Sequence, residues 1–129
     1  MTRRTLRFSQ IPGRFAVCQL PANAPPPDWA IKGAFTSLTR TADELSIVCP
    51  ADNVPEGHMP TTPWVCLKIE GPFSFSEVGV LSSFIGPLAE KGVPIFAIST
   101  FDTDYVLVGE GYVEAALRAL ADAGHKLLP

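Results

Sequence analysis

The sequence is poor in the residues on which catalysis, covalent cross-linking and nucleic-acid binding usually rest. It carries three cysteines, Cys18, Cys49 and Cys66, in 129 residues. Their number is odd and no two form a CxxC pair, so neither a disulfide framework nor a clustered zinc site is expected. Histidine occurs twice, as His58 and His125, too far apart in sequence for a metal-binding pair. Positive charge is scarce: ten Lys and Arg stand against thirteen Asp and Glu, for a net charge of −3. Arg3, Arg4 and Arg7 form a small basic cluster, short of the stripe that tracks a nucleic-acid backbone. No apolar run approaches the roughly 18 residues of a membrane span. The opening Met-Thr-Arg-Arg-Thr-Leu-Arg-Phe has no apolar stretch of signal-peptide length. These absences predict a soluble, cytoplasmic chain with no nucleic-acid or membrane partner, no metal and no cofactor.

What is present is a core and an excess of proline. Hydrophobic residues make up 47% of the chain and charged residues 18%, enough to bury an interior in one domain or two very small ones. Nine of the thirteen prolines fall within the first 63 residues. Interior proline breaks helices, so the first half is expected to be strands and loops, with the helices in the second.

The pattern along the chain agrees. Residues 5–10 and 14–20 are apolar-rich runs joined by Ile11-Pro12-Gly13 and read as a hairpin. Pro25-Pro26-Pro27 forces an extended connection, followed by at most one helical turn capped by Asp28. Residues 33–40 and 43–49 read as two strands around a turn near Thr41-Ala42, and 50–63 as a long loop. Trp64–Glu70 reads as a strand ended by Gly71-Pro72. Ser76 is placed as the cap of a helix over 77–91, with apolar positions Val78, Leu81, Phe84, Ile85 and Leu88 and a stop at Gly92. Pro87 is expected to bend it. Strands follow at 95–100 and 105–108, then a helix with Val113, Ala116, Leu117 and Leu120 on its apolar side, then a short strand within 125–128. The order β-α-β-β-α-β over 64–128 predicts an α+β, ferredoxin-like unit with two helices on one face of a four-stranded antiparallel sheet.

The two central hairpins resemble each other. At an offset of 61, Phe35, Thr39 and Asp43 fall on Phe96, Thr100 and Asp104, and Leu45 and Ile47 fall on Val106 and Val108. Val17-Cys18 falls on Val65-Cys66 at an offset of 48. The difference is nearly the length of the helix at 77–91, and the prolines at 25–27 stand in its place. The chain therefore reads as a reduced, strand-rich copy over residues 1–62 followed by a complete unit over 63–129.

The run from Ser76-Glu-Val-Gly-Val-Leu-Ser-Ser-Phe-Ile to Ser99-Thr-Phe-Asp-Thr-Asp-Tyr-Val-Leu-Val108 resembles an ACT domain. It is similar to the ACT units of aspartate kinase regulatory regions, of the eukaryotic cytosolic arginine sensor and of small stand-alone bacterial proteins built from paired ACT units. Phe35–Val48 resembles the first unit of such pairs. The resemblance implies a non-catalytic regulatory module that binds a small molecule, an amino acid above all, between two units, and that forms a homodimer. It places ligand contacts at Glu77, Val78, Gly79 and Val80, in the loop leading into the first helix, and at Thr100, Phe101 and Asp104, at the end of the next strand and its turn. Val78 stands where the family often has proline.

These residue types suit that role on physical grounds as well. Backbone N–H groups at a helix start accept a carboxylate. Gly79 permits close approach. Asp104 or Glu77 accepts bonds from an ammonium or a cationic side chain, the Thr100 hydroxyl orients either end, and Phe101 walls the pocket. Thr39 and Asp43 occupy the matching places in the reduced copy, without the helix that would complete a pocket. Two other readings compete. One is a structural module that dimerises or regulates a partner enzyme without a ligand. The other is a small enzyme using Cys49 with His58 as nucleophile and base, for which no orienting third group stands nearby in sequence.

Overall fold

The computed structural model describes residues 4–58, 60 and 62–129; Arg3 of the basic cluster lies outside them. Eight strands and two α-helices follow in the order β1 (Arg7–Gln10), β2 (Phe15–Leu20), β3 (Ser37–Arg40), β4 (Leu45–Pro50), β5 (Trp64–Ile69), α1 (Val80–Glu90), β6 (Ile95–Ser99), β7 (Asp104–Gly109), α2 (Val113–Asp122) and β8 (Lys126–Leu127). The chain divides into two compact units, one of residues 11–64 and one of residues 4–10 with 65–129. Among the described residues no helix is long and apolar enough to cross a membrane.

The unit of residues 11–64 is built on the antiparallel strands β2, β3 and β4. Cys18 pairs with Ile47 and Leu38 with Ile47 from the other side. Alternate residues Ala16, Cys18, Leu45, Ile47 and Cys49 form its core, covered by Ala30 and Trp29 from a single 3-10 turn at Asp28–Ile31. Asp28 is the first residue of that turn; Pro27 occupies the cap position. The proline-rich stretch after β4 holds two more short 3-10 turns, at Ala51–Asn53 and Glu56–His58. That no α-helix occurs among the described residues of this unit follows from its prolines.

In the other unit, β5-α1-β6-β7-α2-β8 gives the expected order. Val65, Leu67 and Ile69 of β5 and Val106 and Val108 of β7 alternate onto one face. They pack there with Val80, Phe84 and Leu88 of α1 and Ala116, Ala119 and Leu120 of α2. Full burial of a side chain such as Phe84 stabilises by about 1.5–3 kcal/mol.

The expected four-stranded sheet and the 5–10/14–20 hairpin are both corrected. β1 does not pair with β2. It lies between β5 and β8, antiparallel to β5 (Phe8 opposite Ile69) and parallel to β8 (Arg7 opposite Lys126), so this sheet runs β6-β7-β5-β1-β8. The reason is Phe8. It is 1% exposed and sits edge-on to Phe84 with ring centroids 5.2 Å apart, a burial that a two-stranded hairpin lacks.

The repeat is also re-registered. The β3–β4 turn is closed by Thr41 N–H to Glu44 O (2.9 Å) and the β6–β7 turn by Thr100 N–H to Thr103 O (2.8 Å). By pairing, Thr41 and Asp43 correspond to Thr100 and Asp102, an offset of 59 rather than 61. Thr39 is a strand residue opposite Ser46.

Helix α1 begins later than its spacing predicts. Gly79 adopts φ +84° immediately before it, a backbone state that L side chains disfavour and that interrupts the helix on its N-terminal side. Residues 74–77 instead form their own turn. Glu77 N–H donates to Ser74 O (3.0 Å), and Ser74 N–H donates back to Glu77 Oε2 (2.8 Å). Ser76 does not cap α1, and Val78 is 87% exposed rather than a core position.

Pro87 lies inside α1 and is buried. The carbonyl it cannot bond, that of Ser83, is taken by His125 Nε2 at 2.8 Å. The same ring accepts the Leu6 N–H at Nδ1, 2.9 Å away. The neutral Nε2–H tautomer satisfies both bonds. α1 continues through the proline as one element because a side chain from beyond α2 replaces the missing bond.

Candidate functional site

The loop from β5 to α1 and the turn from β6 to β7 are stitched together. Phe73 N–H donates to Asp102 O at 2.8 Å, and the buried Thr103 hydroxyl donates to Ile69 O at 2.7 Å. Gly71 lies so close that an added Cβ would stand 2.9 Å from the Asp102 carbonyl, so no larger residue fits without moving the turn.

The two segments enclose a cleft of about 240 Å³. Its walls are Phe73, Ser74, Phe75, Glu77 and Val80 on one side and the 99–104 segment on the other. Of the seven residues singled out by the sequence, the cleft brings together Glu77, Val80, Thr100, Phe101 and Asp104. Val78 and Gly79 do not line it; Val78 points to solvent and Gly79 acts as the backbone break before α1. Sequence reasoning missed Phe73, Ser74, Phe75, Ser99, Asp102 and Thr103. The spacing Ser74-Phe-Ser-Glu77 is a capping-box pattern that signals an ordered turn at the first three of these.

Glu77, Asp104 and Thr100 are already oriented. The Glu77 carboxylate accepts the Ser74 N–H on one oxygen and the Arg4 guanidinium, 3.0 Å away, on the other. The Ser74 backbone bond first, and Arg4 second, hold its carboxyl below the usual carboxylate range. Arg4 also lies over the Phe73 ring, 5.5 Å from its centroid. Asp104 Oδ1 accepts the Ser99 hydroxyl at 2.5 Å. Thr100 is exposed but engaged: its hydroxyl donates to Thr103 O (3.0 Å) and accepts the Thr103 N–H (3.3 Å). Phe75 and Phe101 meet edge-on with centroids 4.9 Å apart, each 78% exposed. The cleft thus joins an exposed aromatic pair, the start of a helix, and the side chains of Glu77, Asp102 and Asp104, with Arg4 on Glu77.

The Cys49–His58 pair gains no support as a nucleophile and base. Cys49 is fully buried on β4. Desolvation, with Cys18 nearby, pushes its thiol up to about 11, which keeps it protonated at neutral pH. His58 stacks on Trp29, with centroids 6.1 Å apart. Burial likewise pushes Cys66 up to about 12.

Residues 61–122 match a family model described as an ACT domain, and residues 13–57 match a model of an N-terminal domain. Over 58 residues the chain is 34% identical to the human cytosolic arginine sensor for mTORC1, subunit 1; the match covers 44% of this chain and 18% of that protein. The chain thus spans about a fifth of the length of the arginine sensors it matches. A crystal structure of a protein from Agrobacterium tumefaciens shares 42% identity at a TM-score of 0.90, covering 97% of this chain and 93% of that one. A protein of unknown function from Vibrio cholerae shares the fold at 18% identity and a TM-score of 0.74, covering 93% of this chain and 91% of that one. So do the aspartokinase alpha and beta subunits, at 18% identity and a TM-score of 0.60, covering 93% of this chain and 98% of theirs.

Proposed function

Residues 61–122 carry an ACT domain, and on that premise we propose that the chain is a regulatory module that binds an amino acid in the cleft between the β5–α1 loop and the β6–β7 turn. The observation that carries the reading is the convergence of Val80, Thr100, Phe101 and Asp104, with Glu77, on one cleft. The first N–H groups of α1 have no intrahelical partner and receive the ligand carboxylate. Asp104, which accepts one bond from Ser99 and retains acceptor capacity, receives the ammonium. Glu77 holds the loop through Ser74 and Arg4 and adds negative potential beside it. Phe75 and Phe101 wall the ligand side chain.

The cleft is smaller than the roughly 300–1,000 Å³ of a self-sufficient ligand pocket, which favours a site completed by a second copy. The exposed Phe75 and Phe101, which line it, supply an apolar rim for that contact. Residues 11–64, with a matching turn and no α-helix among the described residues, form the reduced ACT-like unit in this reading. The same rim favours the second reading, a module that pairs with itself or with an enzyme without any ligand.

A thermal-shift panel of the twenty amino acids at millimolar concentration separates the two. A ligand at about 100 times its Kd stabilises by about 2.7 kcal/mol and raises Tm by on the order of 10 °C. The expected result is such a rise for one or a few amino acids, lost in Asp104→Asn. No rise with any of them removes the ligand-binding reading, and self-association lost in Phe101→Ser then supports the second.

A further inference from the structure

A larger cleft, about 390 Å³, lies on the opposite side of the 100–103 turn. It is lined by Ser9 of β1, Lys68 at the end of β5, Glu70, Asp102, Thr103 and Leu128, with Gly71-Pro72 between them. Leu67 and Ile69 face the helices, so Lys68 stands on the other face of the sheet, directly opposite Ser9 on β1.

Its charges are arranged unlike those of the first cleft. Glu70 is occupied by Arg7, whose Nε lies 3.3 Å from its carboxylate. Lys68 is half-buried, and among the described residues neither it nor the Asp102 carboxylate makes a salt bridge. A guest carboxylate on Lys68 gains a charge-assisted hydrogen bond that no carboxylate among the described residues supplies. The cleft therefore offers one unpaired cation and one unpaired anion, in a volume within the usual range for a self-sufficient small-molecule pocket.

We propose that this cleft is a second small-molecule site that takes a zwitterionic α-amino acid, its carboxylate on Lys68 and its ammonium on Asp102. Ser9 supplies a hydroxyl to either group, and Leu128 gives an apolar edge for the ligand side chain. The site needs no second copy of the chain. Asp102 and Thr103 also line the first cleft, so the same turn forms a wall of both.

The test is an amide-resonance titration of the full chain with each of the twenty amino acids, followed by the carboxamide and N-acetyl derivatives of any that bind. The expected result is that at least one amino acid moves the resonances of Ser9, Lys68 and Glu70, and that blocking either the carboxylate or the ammonium weakens the effect by about tenfold or more. Lys68→Met should weaken it by a similar factor and Lys68→Arg should retain it. Asp102→Asn, on an exposed turn, should weaken it whether or not the strand variant folds well. The proposal is overturned if no amino acid moves these resonances, if Lys68→Met or Asp102→Asn binds as wild type, or if a blocked derivative binds as well as its parent. Resonances of Glu77, Val80 and Phe101 report the first cleft separately, so either site can fail without the other.

Discussion

Replacing His125 should unfold more of the stability than its size suggests. The ring is 5% exposed and makes two buried hydrogen bonds, from Nε2 to Ser83 O (2.8 Å) and from Leu6 N–H to Nδ1 (2.9 Å). Neither main-chain group has an obvious substitute. The N–H that would normally take the Ser83 carbonyl belongs to Pro87 and does not exist. An orphaned buried group costs about 1–3 kcal/mol, so His125→Phe, which orphans two and keeps an aromatic ring against Phe84 (centroids 5.5 Å apart), should lose about 2–6 kcal/mol. His125→Ala adds a cavity and should lose about 1 kcal/mol more.

Urea denaturation followed by circular dichroism reads this as a lower midpoint at unchanged slope. Pro87→Ala restores an N–H to the Ser83 carbonyl, so in the His125→Phe background it should recover about 1 kcal/mol, while in wild type it should not stabilise by that route. A His125→Phe protein within about 0.5 kcal/mol of wild type, or a Pro87→Ala effect equal in both backgrounds, would refute the reasoning, since independent sites simply add.

Further outcomes follow from the same structure. The Glu77 carboxyl lies below its ordinary range. Its contribution is therefore present above the unfolded-state value of about 4.3 and lost as pH falls through the lowered folded value; Glu77→Gln should flatten the acid-side fall in urea midpoint, and an unchanged acid limb would show that Arg4 and Ser74 do not hold it. Cys49 and Cys66, pushed up to about 11 and about 12, should resist a thiol reagent at pH 8 in the folded protein and react on denaturation; rapid labelling of native Cys49 would reopen the nucleophile reading. Phe101→Ser, at a 78% exposed position, should change monomer stability by no more than about 0.5 kcal/mol while weakening self-association measured by analytical ultracentrifugation. A large loss of stability there would place Phe101 in the core.

Much of the fold was readable in the sequence because the second half obeys local rules. The 3.6-residue spacing of Phe84 and Leu88, the alternation of Val65, Leu67 and Ile69, and the stops at Gly71 and Gly92 act over a few residues. What the sequence hid acts at long range. β1 joins a strand 60 residues away because Phe8 finds its burial against Phe84, and nothing near Ile11-Pro12-Gly13 records that. The start of α1 turned on the backbone state of Gly79, which competes with the helical spacing of Val78 and Leu81. Pro87 reads locally as a bend, and only the fold brings His125 to it. The candidate site was half legible for the same reason. Thr100, Phe101 and Asp104 stood out as a turn, whereas Phe73, Phe75 and Asp102 join the cleft only through the Phe73–Asp102 and Thr103–Ile69 bonds. The hairpin repeat was visible but slipped by two residues, because Phe, Thr and Asp identities in a turn-rich stretch do not fix register.

The central claim is that the cleft at Val80, Phe101 and Asp104 binds an amino acid. Calorimetric titration of the wild-type chain and of Asp104→Asn with each amino acid tests it most directly. The account predicts saturable binding of at least one amino acid to wild type and affinity weaker by about tenfold or more in Asp104→Asn, the loss of one charge-assisted bond. Binding that is identical in the two proteins, or no heat with any amino acid, would contradict it.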